Sequence, residues 1–386
     1  MLNRRTFLLA LSAMALPGCT PQELVRVSQS AIRHRSLEGA LISVAQSRAE
    51  SWVRNPKKLK SDLKQVERFA SQFVFEVIRV WGQEEARSPD TDTWVKYTDS
   101  YQSRGIIDFK SGIVRVETLV PSQLKSAIVT TLLSPDDPNG VDLFSDKPIK
   151  LGDNPFLYEQ VVDQDNKPIR WQWRAGRFAD YLIRHHKQTR TVKLDDGTRK
   201  TETYVEFPLV GNHSDKRRFK YGALVEKYAR QYRLDPALVL AIIETESHFN
   251  PFAVSWVPAY GLMQIVPKTA GRDAYLLIHG RAGTPSRNYL FNPENNIRMG
   301  CAYLSILQNR YLAGIEHPLS REYCMIAGYN GGAGNVLRSF SANRSSALRQ
   351  INQSSPQQVY QRLRTRMPQE SQGYLLKVTQ AKPRYA

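Results

Sequence analysis

Residues 234–251 read LDPALVLAIIETESHFNP, and this stretch decides the fold. Asp235 offers an N-terminal cap and Pro236 suits the first helical position. The run Ala237 to Ile243 is apolar all round, which predicts a helix buried in the core of a helical domain. Asn250-Pro251 halts it, so the helix ends at Ser247 or His248. Glu246 then sits in the last turn, directly beyond Ile242 and Ile243, and continues their apolar stripe. Burial and the negative end of the helix dipole both disfavour a charged carboxylate there and raise its pKa. A carboxyl that stays protonated near neutral pH suits a general acid at a glycosidic oxygen. The plainer reading of the same spacing is a partly exposed terminal glutamate. Glu244 is the rival acid, but two helical residues subtend about 200°, so the two carboxylates face opposite sides. Standard glycoside hydrolysis needs two carboxylates roughly 5 to 9.5 Å apart. The segment offers Glu246 no such partner, which hints at a one-carboxylate mechanism.

Downstream of residue 214 the signal is almost wholly helical; upstream the period changes. Ile106 to Val120 shows two alternating runs about a Lys110-Ser111-Gly112 turn, which predicts a β-hairpin. Further hairpins are expected over 160–172 around Asp165-Asn166, and over 190–207 around Asp196-Gly197. In the latter, Val192 and Leu194 are answered by Thr203 and Val205. Gly176 to His186 looks helical, as do residues 39–85. The expected class is α+β: a mixed α+β domain over 39–210, a hinge at Gly211-Asn212-His213, and an all-α domain over 214–386. Hydrophobic residues make up 41% of the 386 and charged residues 23%, which excludes a disordered or collagen-like chain and a polytopic membrane protein.

The first twenty residues read as an address. Arg4-Arg5 precede an apolar run, Phe7 to Leu16, that is too short to span a bilayer, the layout of a secretory signal over residues 1–18. Leu16-Pro17-Gly18-Cys19 resembles a lipobox, which makes Cys19 the expected lipidation site and residues 19–38 a tether. Thr20 rather than an aspartate there implies the outer membrane, facing the periplasm. The net charge of +18 favours polyanionic partners. Outside the cytoplasm that means a cell wall or membrane surface, not nucleic acid. Nothing in the sequence sets an oligomeric state. Cys301 and Cys324 either pair or stand as two buried thiols. The His residues show no metal-binding spacing, so neither metal nor cofactor is expected.

Four ordered motifs make the reading specific. Glu246 to Pro251 is followed by Ala253 and Ser255, then by Gly261-Leu262-Met263-Gln264. Gly328-Tyr329-Asn330-Gly331-Gly332 and Tyr374-Leu375-Leu376-Lys377-Val378 complete the set. Together they resemble the family 1 lytic transglycosylases, whose catalytic domain is lysozyme-like (goose-type lysozyme/SLT). Val80-Trp81-Gly82, Tyr97 to Arg104 and Pro168 to Trp171 resemble the N-terminal domain of membrane-bound members. The chain departs from the family pattern at Val257-Pro258, where polar residues are usual, and Gly328 replaces an alanine.

The resemblance implies non-hydrolytic cleavage of the β-1,4 bond between N-acetylmuramic acid and N-acetylglucosamine in peptidoglycan, leaving 1,6-anhydro ends. Glu246 is the implied acid and then base. Ser255, Gln264, Tyr329 and Tyr374 are the implied substrate contacts. Met263 reads as cleft wall, and Asn330 as turn-shaping more than bond-touching. A water-admitting muramidase and a non-catalytic wall-binding lipoprotein are the competing readings.

Overall fold

A computed structural model describes residues 73–194, 196–255 and 259–386. The signal, Cys19, the tether and the helical periodicity of residues 39–72 lie outside the described residues, as does the Trp256-Val257-Pro258 departure. Residues 73–81 are helical. A five-stranded antiparallel sheet follows: β1 (Thr93–Thr98), β2 (Ser103–Asp108), β3 (Ile113–Thr118), β4 (Gln188–Lys193) and β5 (Arg199–Pro208), in the order β1-β2-β3-β5-β4. Helices α1 (Leu124–Leu132) and α2 (Gln172–His185) fall between β3 and β4 in sequence, and α1 packs on β2, β3 and α2.

The β2–β3 hairpin forms as expected, with Asp108 facing Ile113. The Asp108 carboxylate accepts from the backbone N–H of Lys110 and Ser111, both at 2.9 Å, and Gly112 supplies a φ of +71°. The β4–β5 hairpin also forms around Asp196-Gly197, but its register differs from the expected one. Leu194 N–H closes on Thr198 C=O at 2.8 Å, so Val192 faces Lys200 and Thr203 faces Thr189. Turn length, not side-chain matching, sets this pairing. Val205 is answered by Val116 of β3 instead. No hairpin forms over 160–172. Asp163 draws the chain into a tight turn by accepting from Asp165 N–H (2.9 Å) and Lys167 N–H (3.0 Å), which leaves a single bridge, Val162 to Pro168. β1 is a strand the sequence did not signal. Its four central residues are all buried, and Lys96 among them breaks any apolar alternation.

One face of the sheet carries a buried ionic ladder. Arg104, fully buried, donates to Glu117 at 2.7 Å and to Glu85 C=O at 2.6 Å, and lies 3.8 Å from the Trp81 ring. Arg115 bridges Glu117, Glu202 and Glu206, and Arg190 joins Glu202 to Glu85. These neighbouring cations hold Glu117 below the usual carboxylate range despite its burial, which pulls the other way. Glu117→Ala would strand the Arg104 charge in the core. The expected cost is about 3–5 kcal/mol, read as a lower denaturation midpoint. An unchanged midpoint would mean that water or another acid replaces the lost partner.

The remainder is helical: α3 (His213–Tyr232), α4 (Pro236–Ser247), α5 (Ala270–His279), α6 (Arg287–Phe291), α7 (Pro293–Ile306), α8 (Pro318–Gly331), α9 (Ala333–Arg338), α10 (Arg344–Gln353), α11 (Pro356–Arg366) and α12 (Gln369–Ala381). α4 lies against α3 and α12, its apolar residues buried. Cys301 on α7 and Cys324 on α8 are buried free thiols.

Sheet gives way to helix between Pro208 and His213, and side chains tie the two halves together across this change. Arg217 of α3 is buried and spans them: it donates to Gln160 Oε1 (2.8 Å) on one side and to His248 C=O (3.1 Å) on the other. With no carboxylate beside it, burial lowers the Arg217 guanidinium to about 10. Phe252, downstream of α4, packs in the core of the sheet domain, with ring centroids 5.1 Å from Phe156 and 6.5 Å from Trp94.

Candidate active site

α4 begins and ends where its sequence dictates. Asp235 accepts from Ala237 N–H at 2.9 Å, and Pro236 occupies the first helical position. His248 stops the helix in the left-handed region (φ 49°), and Phe249 follows at φ 60°. Two such non-glycine residues in succession are strained and persist only if their surroundings hold them. Here the sheet domain does so. His248 Nδ1 lies 3.0 Å from Asp92 Oδ1, and Asn250 donates to Thr91 C=O at 3.3 Å. Ser247, fully buried, donates to Leu262 C=O at 2.8 Å and ties the end of α4 to the next loop.

That loop is pinned from below by Asn296 of α7. Its amide accepts from Met263 N–H (2.8 Å) and donates to Tyr260 C=O (2.7 Å) and Leu290 C=O (2.8 Å). Gly261, at φ +71°, is required where it stands. A Cβ there would fall 2.6 Å from the Asn296 amide nitrogen and 2.8 Å from Leu290 O. Gln264 uses its amide N–H groups on the loop itself, donating to Gly261 C=O (2.8 Å) and Ala253 C=O (3.1 Å), while its Oε1 is buried without a partner. Met263 is fully buried, and its carbonyl accepts from the Tyr329 hydroxyl at 2.8 Å. Ser255 is half-buried, its N–H donating to Ala259 C=O at 3.3 Å.

Glu246 projects from the last turn of α4 toward Tyr329 of α8 and Tyr374 of α12, both of which feel its charge. The residue keeps some exposed surface, yet its carboxyl is enclosed by protein. Burial pushes it up to about 8; the Tyr374 hydroxyl opposes this, and the negative charge of Glu370 adds to it. The Tyr374 hydroxyl is buried and has no partner with full hydrogen-bond geometry. It faces the Glu246 carboxyl closely enough to oppose the rise in its pKa. Glu244 turns the other way, onto Arg384 and Tyr385 at 2.7 Å each, as the rotation per residue requires.

The structure thus brings Glu246, Tyr329 and Tyr374 together and sets Gln264 and Met263 in the adjoining loop. Asn330 stands aside, joining α8 to α12 by donating to Glu370 (3.2 Å) and accepting from Ser371 (2.7 Å). Sequence reasoning missed Glu370. Its signal was the four-residue spacing to Tyr374, which places both on one face of α12. Ser247, Asn296 and Arg217 were missed too, since a single polar residue shows no long-range partner in sequence, whether its helix is apolar (Ser247) or polar (Asn296, Arg217).

Tyr374 lowers the Glu246 pKa, so Tyr374→Phe removes that pull and the Glu246 pKa rises. A general acid works while protonated, so the alkaline limb of the pH–rate profile should move to higher pH in the variant. The rate at the optimum should fall about two- to tenfold, the worth of one hydroxyl contact. An unmoved limb would make Tyr374 a packing residue only.

Residues 57–220 match the family model for the membrane-bound lytic murein transglycosylase C N-terminal domain, and residues 223–352 match the transglycosylase SLT domain. Membrane-bound lytic murein transglycosylase C from Yersinia pestis (strain Pestoides F) is 48% identical over 320 residues, which covers 81% of this chain and 88% of that protein. The protein of the same name from Yersinia pseudotuberculosis serotype O:1b (strain IP 31758) gives the same values. Among solved structures, the 70 kDa soluble lytic transglycosylase of Escherichia coli is 24% identical. That match covers 43% of this chain and 24% of that one, with a TM-score of 0.33.

Proposed function

The chain belongs to the membrane-bound lytic murein transglycosylase C family, and from that premise we propose that Glu246 cleaves peptidoglycan glycan strands by acting as acid and then as base. The observation that carries this is a carboxyl held protonated to about pH 8 at the end of a buried helix, facing two tyrosines. Protonated Glu246 gives its proton to the glycosidic oxygen as the C1–O bond of the muramoyl residue breaks. The muramoyl acetamido group stabilises the charge that develops at C1. Glu246, now ionised, takes the proton of the muramoyl O6 hydroxyl, whose oxygen closes on C1 as a 1,6-anhydro ring. No water is consumed and the carboxyl ends protonated, ready for another turn. Tyr374 and Tyr329 border the acid, Ser255 and Gln264 orient the sugars from the loop, Met263 forms wall, and Asn330 fixes the α8–α12 corner.

Glu370 gives a hydrolytic reading one foothold, because it is a second carboxylate whose charge reaches Glu246. Its side chain is engaged by Asn330, however, and its action on Glu246 is to keep the acid protonated. The mass of the products decides between them. Purified peptidoglycan digested by the protein should release anhydromuropeptides, one water lighter than hydrolytic products. Reducing-end muropeptides would establish a muramidase, and no release at all a wall-binding protein.

Membrane association goes with the family. Among the described residues no helix is long and apolar enough to cross a bilayer. The reading is a signal over 1–18, a lipid on Cys19, a tether over 19–38, a sheet domain over 39–210 and a helical catalytic domain over 214–386, held on the periplasmic side of the outer membrane. The sheet domain's part in catalysis is to hold the strained turn after Glu246.

A further inference from the structure

At the start of α12 lies a cavity that the cleavage chemistry does not use. It has a volume of about 430 Å³ and is lined by Asn335 and Arg338 of α9, Phe340, Arg362 and Arg366 of α11, and Pro368. No carboxylate is among its lining residues. Arg362 is fixed in place, donating to Ser339 C=O (2.8 Å) and Phe340 C=O (3.1 Å) with its guanidinium 5.1 Å from the Phe340 ring. Among the described residues Arg338 is steadied only by Asn335 Oδ1, at 2.7 Å. Arg366 has no partner among the described residues. Arg338 and Arg366 each close a helix, where a cation is favoured by the helix dipole. That accounts for one arginine per helix end, but not for three converging on one cavity without an acid.

The position of the cavity says what the charge is for. Pro368, on its wall, is the residue before α12, two residues from Glu370 and six from Tyr374. Six helical residues span about 9 Å, a distance that about three residues of extended peptide cover. On the other wall Asn335 donates to Gly331 C=O at 2.8 Å, next to Asn330, which holds Glu370. Two short stretches of backbone, 331–335 and 368–374, thus link the cavity wall to the residues around Glu246.

We propose that Arg338, Arg362 and Arg366 bind the carboxylates of the peptide stem that the muramoyl residue carries, so that the enzyme selects peptide-bearing over bare glycan strands. The inference rests on the proposed function of Glu246. It also gives part of the +18 net charge a local purpose at the substrate. Each charge-assisted hydrogen bond contributes enough to change kcat/KM by about tenfold or more.

The test compares two substrates, peptidoglycan strands with their stems and the same strands stripped of peptide by an amidase. Wild-type protein should cut peptide-bearing strands with a kcat/KM at least about tenfold higher. In Arg338→Ala/Arg366→Ala that ratio should collapse toward one, mainly through KM. Arg338→Lys/Arg366→Lys, which keeps the charges, should retain most of it and controls for folding. An equal wild-type rate on both substrates, or an unchanged ratio in the alanine variant, would overturn the inference while leaving the cleavage reaction intact. Absence of anhydro products from either substrate would instead remove the proposed function beneath it. An unchanged ratio combined with lost binding to anionic-lipid vesicles would reassign the cavity to the membrane surface.

Discussion

Glu246→Gln should release no anhydromuropeptide above background and yet be the more stable protein above pH 8. The first half follows from the proposed chemistry. A glutamine amide is close to the carboxyl in shape but has no proton to give the leaving oxygen and no anionic oxygen to take one back. Removal of a general acid alone costs about 10²- to 10⁴-fold, and here one side chain serves both steps. The second half follows from the raised pKa. In the unfolded chain the carboxyl ionises near its ordinary value of 4.5; in the fold it holds its proton to about 8. Between those values the native state binds the extra proton, so stability falls as pH rises through the window and the loss is complete above about 8. The rate of loss is at most about 1.4 kcal/mol per pH unit. Glutamine does not ionise, so the variant escapes the loss. Its unfolding temperature should exceed that of wild type by several degrees at pH 9 and match it near pH 4. Digestion products and melting curves of the two proteins at both pH values check this. A variant that is inactive and also less stable at pH 9 would point to a misfolded cleft and deprive Glu246 of its role.

Phe252→Ala should lose about 3–5 kcal/mol of stability, the usual cost of emptying a buried aromatic site. The ring leaves Phe156 and Trp94 of the sheet domain, although Phe252 follows the catalytic helix in sequence. Activity should fall more steeply than the folded fraction accounts for. The turn His248-Phe249 is left-handed at both residues and depends on Phe252, Asn250 and Asp92 for its hold. Released, it lets the last turn of α4 fray, Glu246 meets water, and its pKa drops toward the ordinary range. The alkaline limb of the pH–rate profile should therefore move to lower pH, opposite to its movement in Tyr374→Phe. Phe252→Leu should lie between. A destabilised protein whose pH profile is unchanged would mean that the anchor serves folding alone.

The catalytic helix was legible because each of its signals is local: a cap, a proline, an apolar run and a proline stop, all within residues 234–251. The placement of Glu244 and Glu246 on opposite sides followed from helix geometry and holds. Tyr329 and Tyr374 were reachable only through resemblance, since a tyrosine in an apolar helix looks like core. What stayed hidden is long-range. Arg217 reads as one basic residue in a basic helix, and only the fold shows it buried between Gln160 and His248. Phe252 reads as a residue of the catalytic motif, although its packing belongs to the other half. Two hairpins announced themselves by their turns. The failed one around Asp165-Asn166 carries a turn signal of the same kind without a glycine, but Asp163 claims the backbone donors and Pro168 has no N–H to pair. Trp81, Tyr97 and Arg104, quoted in the sequence as signature residues, turn out to be one buried cluster in which Arg104 is itself a rung of the ionic ladder.

The seating of Phe252 bears on how such a chain can be recombined. The two matched segments meet at residues 220 and 223, inside α3, and a gene fused there would look cleanly divided. The packing is divided elsewhere. A helical half transplanted from a distant relative would bring its own residue to the hole between Phe156 and Trp94, and a misfit there would be felt at the acid. Exchange of one half alone is therefore expected to fail unless Phe252, Asn250 and Asp92 are matched across the interface, whatever is done at the seam.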